Sequence, residues 1–457
     1  MGKLKEKRRK QRQKKMLTYI LGGAGASLCI IFLFAFVLTA VLGRDSGAVA
    51  SGSEGSSQVA QLPGEPGNSE SNFGSEVDSG EAPTQNSQVP GASENPGTSE
   101  PPSVEGLQEL QIVMVGDMLM HDRLITSGKQ EDGSYNFDHL FTNVKDFIQG
   151  ADIAIVNQET IMGGPELGYS GYPQFNSPYE LADAEVKAGF NVVLHATNHT
   201  TDKGKKAVLN CMNYWDTKYP DVAYLGINKT QEAQDENIYV FEQNGIKVAI
   251  LNYTYTLNGD RMPSDMPYLV NLMKKGESEK RILADIKKAE EIADFTIVCP
   301  HWGTEYALTV SSTQKYWTEL FLENGVDLVM GAHPHVIEPM EWVSDDAGHK
   351  MLVYYSLGNY VNGTSSTKGN LAHRMVGGIA DVTIGRNDAG EVVILENDVV
   401  PIVCHIAEGD AYTVYYLKDY TKEMAAANLI VKQDSAFSLE ACQDVVKQVW
   451  GEEYLAE

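Results

Sequence analysis

"DLVMGAHPHV", residues 327 to 336, is an apolar run that ends in two histidines one residue apart. The Leu328–Met330 triplet reads as a strand buried on both faces, and Gly331 marks the turn that follows. Imidazoles at that spacing just past a strand end can converge on a cation, whereas a core histidine held by hydrogen bonds usually stands alone.

The surrounding sequence repeats the pattern. "LQIVMVGD" (110–117), "ADIAIVNQE" (151–159), "NVVLHATNH" (191–199), "IKVAILNYT" (246–254) and "ADFTIVCPHWG" (293–303) are near-continuous Val/Ile/Leu runs. Between them, 177–189, 203–218, 277–292 and 313–325 have helical spacing,. The alternation predicts an α/β domain. After His335, the runs 349–361, 373–386 and 391–403 read as an antiparallel set completing a second sheet, and 416–432 and 438–455 as two outer helices,.

In open α/β sheets ligands bind beyond the carboxyl ends of the strands. Those ends carry Asp117, Asn157 and Glu159, Asn198 and His199, His301 and Glu305, then His333 and His335. Singly, each has a bland explanation: Asp117 as a turn or cap residue, Asn157 and Glu159 as turn residues, His301 as a hydrogen-bonded core histidine. Five strand ends that each present a lone pair in register point to a divalent-cation site. His121, four residues past Asp117 with Asp122 and Arg123 behind it, reads as a surface or substrate-facing residue rather than a ligand; His139, His195, His349, His373 and His405 have no such partners, and Trp302 reads as packing. Arg123, Tyr306 and Arg374 are positioned to meet an anionic group.

Charge narrows the partners. The chain carries −26 over 457 residues; residues 1–16 hold nine Lys/Arg and one Glu, so the remainder carries −34. That excludes non-specific nucleic-acid binding, and repels a polyanion unless cations or a basic groove intervene. Leu17 to Gly43 is 27 residues without a charge, long enough to span a bilayer,. Its length favours a retained anchor over a cleaved signal peptide, whose apolar core is about 7–15 residues. By the positive-inside rule 1–16 is a cytoplasmic arm and everything after Gly43 lies outside the cell membrane. Residues 44–106 are Ser/Gly/Pro/Glu-rich and read as a disordered stalk. The expected domains are thus the arm (1–16), the single-pass transmembrane anchor (17–43), the stalk (44–106), the α/β domain (107–412) and C-terminal helices packed on it (413–457). Cysteines 211, 299, 404 and 442 are too irregularly spaced for a disulfide framework,.

Six motifs in order, "GDMLMHDR", "NQE", "ATNHTTDKG", "HWGTEY", "GAHPHV" and "SLGNYV", resemble the CapA capsule-synthesis family associated with poly-γ-glutamate, over about Glu109 to Val403. That family is similar in fold to calcineurin-like metallophosphatases. The resemblance implies a two-sheet sandwich flanked by helices. It also implies a metal (Mn, Mg, Zn or Fe) on Asp117, Glu159, Asn198, His301, His333 and His335, with Glu159 as the bridging ligand. His199, with Asp202 close by, is then the general acid or charge stabiliser, and Arg123, Asn157 and Glu305 are candidate substrate contacts. Poly-γ-glutamate or another anionic envelope polymer is the implied partner, together with the membrane subunits of capsule synthesis. Leu119 departs from the phosphatase pattern, which has a histidine there, and Thr197 and Thr200 flank Asn198-His199 where those enzymes prefer Gly and an acid. Two functions follow: a membrane-anchored protein of capsule synthesis, export or retention, or a metal-dependent phosphoester or peptide hydrolase of the cell envelope. A surface adhesion or sensor module is also compatible with the stalk.

Overall fold

The computed structural model describes residues 109–456, except 237, 260, 261 and 366–368. The arm, anchor and stalk expected over 1–106 lie outside the described residues. Among the described residues no helix is long and apolar enough to cross a membrane.

Two sheets form a mixed α/β frame. In the first, β1 (Glu109–Leu119), β2 (Ile153–Asn157), β3 (Val192–Leu194) and β4 (Ala223–Leu225) run parallel. In the second, β5 (Tyr239–Gln243) pairs antiparallel with β6 (Ile246–Thr254), which continues in parallel through β7 (Phe295–His301) and β8 (Leu328–Met330). β9 (Met340–Ser344) is the edge, antiparallel to β10 (Lys350–Tyr354), which itself lies parallel to β8.

The strands after His335 divide between the sheets rather than completing the second one. Only β9 and β10 join it. β11 (Asn359–Asn362) lies parallel to the end of β1, while β12 (Val376–Arg386), β13 (Val392–Ala407) and β14 (Ala411–Tyr416) extend the first sheet as an antiparallel meander from β1. Residues 376–385 are buried throughout, so β12 needs covered neighbours on both faces, and the centre of the first sheet supplies them,. Residue 412 therefore falls inside a strand. The helix expected over 416–432 is also broken: Asn428 leaves the helical region after Lys422–Ala427, and its side chain accepts from the Ile430 N–H,.

Side-chain alternation explains why the strands of the second sheet read as continuous apolar runs. Val248, Ile250, Ile297, Cys299, Leu328, Met330, Leu352 and Tyr354 face the core shared with the first sheet. Their neighbours Ala249, Leu251, Val298, Val329, Met351 and Val353 face an outer core,. Helices cover the outer faces: α1 (Glu180–Ala188) and α2 (Gly204–Lys218) contribute to the first core, α3 (Glu279–Ile292) and α4 (Ser312–Glu323) to the second. α4 starts with a capping box in which Ser311 and Gln314 exchange side-chain and backbone bonds, a device worth about 1 kcal/mol,. The last helix, α5 (Leu439–Val449), buries Cys442, Val445 and Val446. The four described cysteines are buried free thiols.

One core residue is out of character. Glu185 on α1 is fully buried, and neither carboxylate oxygen has a hydrogen-bond partner. Burial pushes its pKa well above the usual carboxylate range,. The folded chain thus keeps a proton that the unfolded chain releases above pH ~4.3, so stability falls as pH rises from there until the folded group also ionises. We expect Glu185→Met to remove a slope of about 1.4 kcal/mol per pH unit from denaturant-derived stability between pH 5 and 7. Equal slopes in both proteins would mean that Glu185 is ionised in the fold.

Candidate metal centre

Parallel pairing brings the strand ends of both sheets to one edge. Asp117 stands opposite Asn157 in the β1–β2 register, and His301 at the end of β7 faces Ala332, the residue before His333. β1 shifts register as it passes β11, and the Asp117 N–H bonds Gly358 O at 2.9 Å. Gly116 permits that approach, because a Cβ there would lie 1.9 Å from the same oxygen. Gly331 does the same for the histidine loop: its Cβ would lie 2.1 Å from Tyr355 O.

Asp117, Glu159, His301, His333 and His335 are all at most 4% exposed. The Asp117 carboxylate accepts from Asn157 Nδ2 at 2.8 Å and sits 3.0 Å from His335 Nδ1. Glu159 Oε1 lies 3.6 Å from both His301 Nε2 and His335 Nε2, beyond hydrogen-bond reach, and neither of its oxygens has a partner,. His301 Nε2 is 2.8 Å from Asn198 Oδ1 and 3.2 Å from His333 Nδ1. Tyr255 OH and His333 Nε2 are 3.0 Å apart. Two triads result, Glu159–His301–His333 and Asp117–Glu159–His335, each with ligand atoms within 4.8 Å of one another. Glu159 belongs to both.

The loop carrying the histidines is strained. Among the described residues seven non-glycine residues have positive φ; four are Asn or Asp, which tolerate it,. The other three are Tyr306 (φ 65°), His333 (φ 102°) and His335 (φ 57°), all at this edge of the sheets. Each costs on the order of 1 kcal/mol or more, and such residues cluster at functional sites.

Charge and burial split the histidines. Burial, reinforced by the neighbouring His301 and His335, holds the His333 pKa well below its usual range, so this imidazole is neutral and one ring nitrogen keeps a lone pair for a cation,. For His335 burial acts in the same direction, but the carboxylates of Glu159 and Asp117 outweigh it and raise the pKa to about 9. Its proton partly compensates two carboxylates that have almost no water around them.

Beside the triads, His199 Nδ1 lies 2.8 Å from Asp202 Oδ2, which also accepts from the Phe175 N–H at 2.7 Å. The Phe175 ring meets the His199 ring edge-on at 4.6 Å. The carboxylate fixes the imidazole's orientation, the arrangement a proton-transferring histidine needs. Thr197 ties this loop to the centre: its hydroxyl donates to Glu159 O at 2.7 Å and accepts from the His199 N–H at 3.2 Å.

The structure therefore links Asp117, Asn157, Glu159, Asn198, His301, His333 and His335 by direct contacts, with His199 and Asp202 one contact away through Asn258. Asn157 is a bracket between Asp117 and His301 (3.3 Å to Nδ1) rather than a group turned to a substrate. Glu305 is exposed on the rim. Arg123 is engaged elsewhere, in an exposed ion pair with Asp410 before β14. His121 is placed by Gly363 N–H and Phe175, and burial lowers its pKa to about 4. Sequence reasoning did not single out Tyr255, Asn258 and Asn359, which hold His333, His199 and His335. Asn359 sits inside the "SLGNYV" motif, which could have exposed it; the other two lie in a loop without a motif.

The donor set fits a cation. Buried carboxylate oxygens without hydrogen-bond partners, beside imidazole nitrogens and carboxamides, form an N/O site suited to Zn, Mn, Fe or Mg,. Fold and site together define an α/β protein with a candidate metal centre at the carboxyl edge of its parallel strands. The chain belongs to the bacterial capsule synthesis protein family PGA_cap, whose profile matches residues 111–364 and so takes in every residue of the centre. It is 26% identical over 352 residues to the capsule biosynthesis protein CapA of Bacillus anthracis, covering 73% of this chain and 78% of that one. Over 274 residues it is 24% identical to the PGA biosynthesis protein CapA of Bacillus subtilis (strain 168), covering 58% and 67%. Among solved structures it is similar to a putative 5'-nucleotidase from Staphylococcus aureus in complex with alpha-ketoglutarate, with 14% identity and a TM-score of 0.43. That match covers 64% of this chain and 54% of the other, so the chain spans about half its length.

Because Glu159 is shared, single substitutions should differ in effect. His333→Ala and His335→Ala are each expected to lower the metal content of the purified chain in part, and Glu159→Ala to lower it further than either. Elemental analysis decides this, and unchanged content in Glu159→Ala would remove the ligand assignment.

Proposed function

We propose that this chain takes part in poly-γ-glutamate capsule synthesis, export or retention as a membrane-anchored, extracytoplasmic protein with a divalent cation at the strand ends. The observation that carries the reading is the family match over 111–364, which encloses the whole buried donor cluster. The anchor and orientation rest on the uncharged 17–43 run behind a basic arm,. Asp117, Glu159, Asn198, His301, His333 and His335 would hold the cation, which when bound supplies positive charge able to bridge acidic protein and acidic polymer, and to polarise an oxygen. Asn157, Asn359 and Tyr255 orient the ligating side chains through their own hydrogen bonds,. Membrane subunits of capsule synthesis are its expected partners.

The His199–Asp202 pair favours a second reading, a metal-dependent phosphoester or peptide hydrolase with the calcineurin-like fold that the sequence resemblance implies. An imidazole fixed by a carboxylate 2.8 Å away is more than cation storage requires. Its nitrogen would hold or deliver a proton to a leaving group while Phe175 excludes water from one side,. Leu119 stands against two-metal phosphatase chemistry.

In a capsule-forming cell lacking its own copy, the wild-type chain should restore surface poly-γ-glutamate and Glu159→Ala should not, at equal protein levels. Full restoration by that variant would make the centre dispensable. A screen of phosphodiester and γ-glutamyl peptide hydrolysis reads the second possibility: His199→Ala is expected to lower any turnover about 10²–10⁴-fold with folding intact. Unchanged turnover would sink the proton-transfer role.

A further inference from the structure

We infer that Arg374, stacked on Tyr306 at the rim of the metal centre, docks a carboxylate of a γ-linked glutamyl chain; this rests on the proposed capsule function and adds the residue that grips the polymer. Arg374 lies beyond the residues matched by the family profile. Its guanidinium carbon sits 3.6 Å from the centre of the Tyr306 ring. That ring is 5.9 Å from the His335 ring, and the Tyr306 N–H bonds Pro334 O at 2.7 Å, inside the histidine loop. A second route joins the same places. Arg374 O accepts from Asn359 Nδ2 at 3.0 Å, and Asn359 Oδ1 lies 3.2 Å from His335 Nδ1. Side chain and main chain thus both lead in one step to a residue that touches His335.

The electrostatic setting is unusual for this domain. Among the described residues Arg123 pairs with Asp410, Arg281 with Asp285 and Arg386 with Asp294. Arg374 alone meets no carboxylate among them, although the chain outside residues 1–16 carries −34. Its Nη1 bonds Thr364 Oγ1 at 2.8 Å and approaches Ser365 O at 3.5 Å, which with the Tyr306 face fixes the plane of the fork. The Nε and Nη2 edge has no hydrogen-bond partner among the described residues. A planar fork held on an aromatic face is organised for a planar carboxylate, which takes two parallel bonds from it. Tyr306 is 44% exposed and holds a positive φ, so it is kept at the surface at a conformational cost rather than buried for stability,. A γ-linked glutamyl chain presents one α-carboxylate per residue. One such group on Arg374 leaves its neighbours beside the centre, where a cation offsets the repulsion of an acidic wall.

The test uses the full-length chain, with Mn²⁺ loaded and again without it, and calorimetric titration with a γ-glutamyl oligopeptide and, separately, with inorganic phosphate. Arg374→Gln should weaken peptide binding roughly tenfold or more while leaving Mn²⁺ content unchanged. Arg374→Lys should weaken it nearly as much, since charge without the fork does not reproduce the paired bonds. Tyr306→Phe should bind as wild type does, and Tyr306→Ala should bind more weakly. Undiminished peptide affinity in Arg374→Gln overturns the inference, as does a loss confined to phosphate. Should Arg374→Gln fail to fold by near-ultraviolet circular dichroism, Tyr306→Ala decides, and wild-type affinity there overturns it. A wild-type chain that binds no Mn²⁺ would sink the metal reading alone, because the arginine is judged on peptide affinity with and without the ion.

Discussion

Two carboxylates, Asp117 and Glu159, are held almost entirely out of water where two sheets meet. Ionised groups in such a place cost several kcal/mol each unless opposite charge or hydrogen bonds compensate them. Asp117 is compensated by Asn157, the His333 N–H and His335. Glu159 is not: its neighbours stop at 3.6 Å. Without a cation, the proton that His335 retains goes part of the way; a divalent cation held by these residues would displace that proton and supply the balance itself,. Much of the surrounding architecture follows from this need. Parallel strands in both sheets deliver ligands to one edge, Gly116 and Gly331 allow the backbone to crowd there, and the histidine loop adopts left-handed conformations that its residues otherwise avoid.

That balance also accounts for what could be read from sequence. Period-2 burial on both faces turned β1, β2, β3, β6, β7 and β8 into visible apolar runs, and the residues just past them stood out because five strand ends in register each carried a lone-pair donor. Six ligand candidates and His199 were therefore legible from local chemistry, while Asp202 entered only through the family resemblance. The destination of β12, β13 and β14 was not. Their apolar content says that they are buried, but pairing with β1 spans more than two hundred residues and leaves no local mark. Tyr255, Asn258 and Asn359 were hidden for a related reason: their role is set by what they touch across the fold. Arg123 and Arg374 looked alike in sequence, and the fold separates them by giving one an aspartate and the other an aromatic face.

Strain and burial fall in different parts of the molecule for different reasons. The positive φ values of His333, His335 and Tyr306 coincide with the centre, where rigid placement of donor atoms repays conformational cost by lowering the ordering needed on binding,. Glu185, on the buried face of α1, has no hydrogen-bond partner for either oxygen and belongs to neither triad, so its cost has no such return in the structure. The contrast separates a buried acid that is part of a site from one that is only buried. Glu159 is surrounded by imidazole nitrogens and shared by two triads; Glu185 has neither.

If the proposed function holds, an acidic domain must attract an acidic polymer locally while repelling it at large. At physiological ionic strength the Debye length is about 8 Å, so most of the surface charge is screened before a chain makes contact. Within that distance the outcome depends on the few positive groups the polymer can reach. Two of them would stand together at one edge of the sheets: a cation held among Asp117, Glu159 and the three histidines, and Arg374, whose guanidinium lies over the Tyr306 ring at the rim. Elsewhere Arg123, Arg281 and Arg386 are neutralised by aspartates. A polymer with a carboxylate on every residue would find a planar fork and a cation side by side at that edge, a pairing that isolated surface lysines do not reproduce. Specificity of this kind needs no broad basic groove, so a net negative domain could hold the proposed acidic ligand.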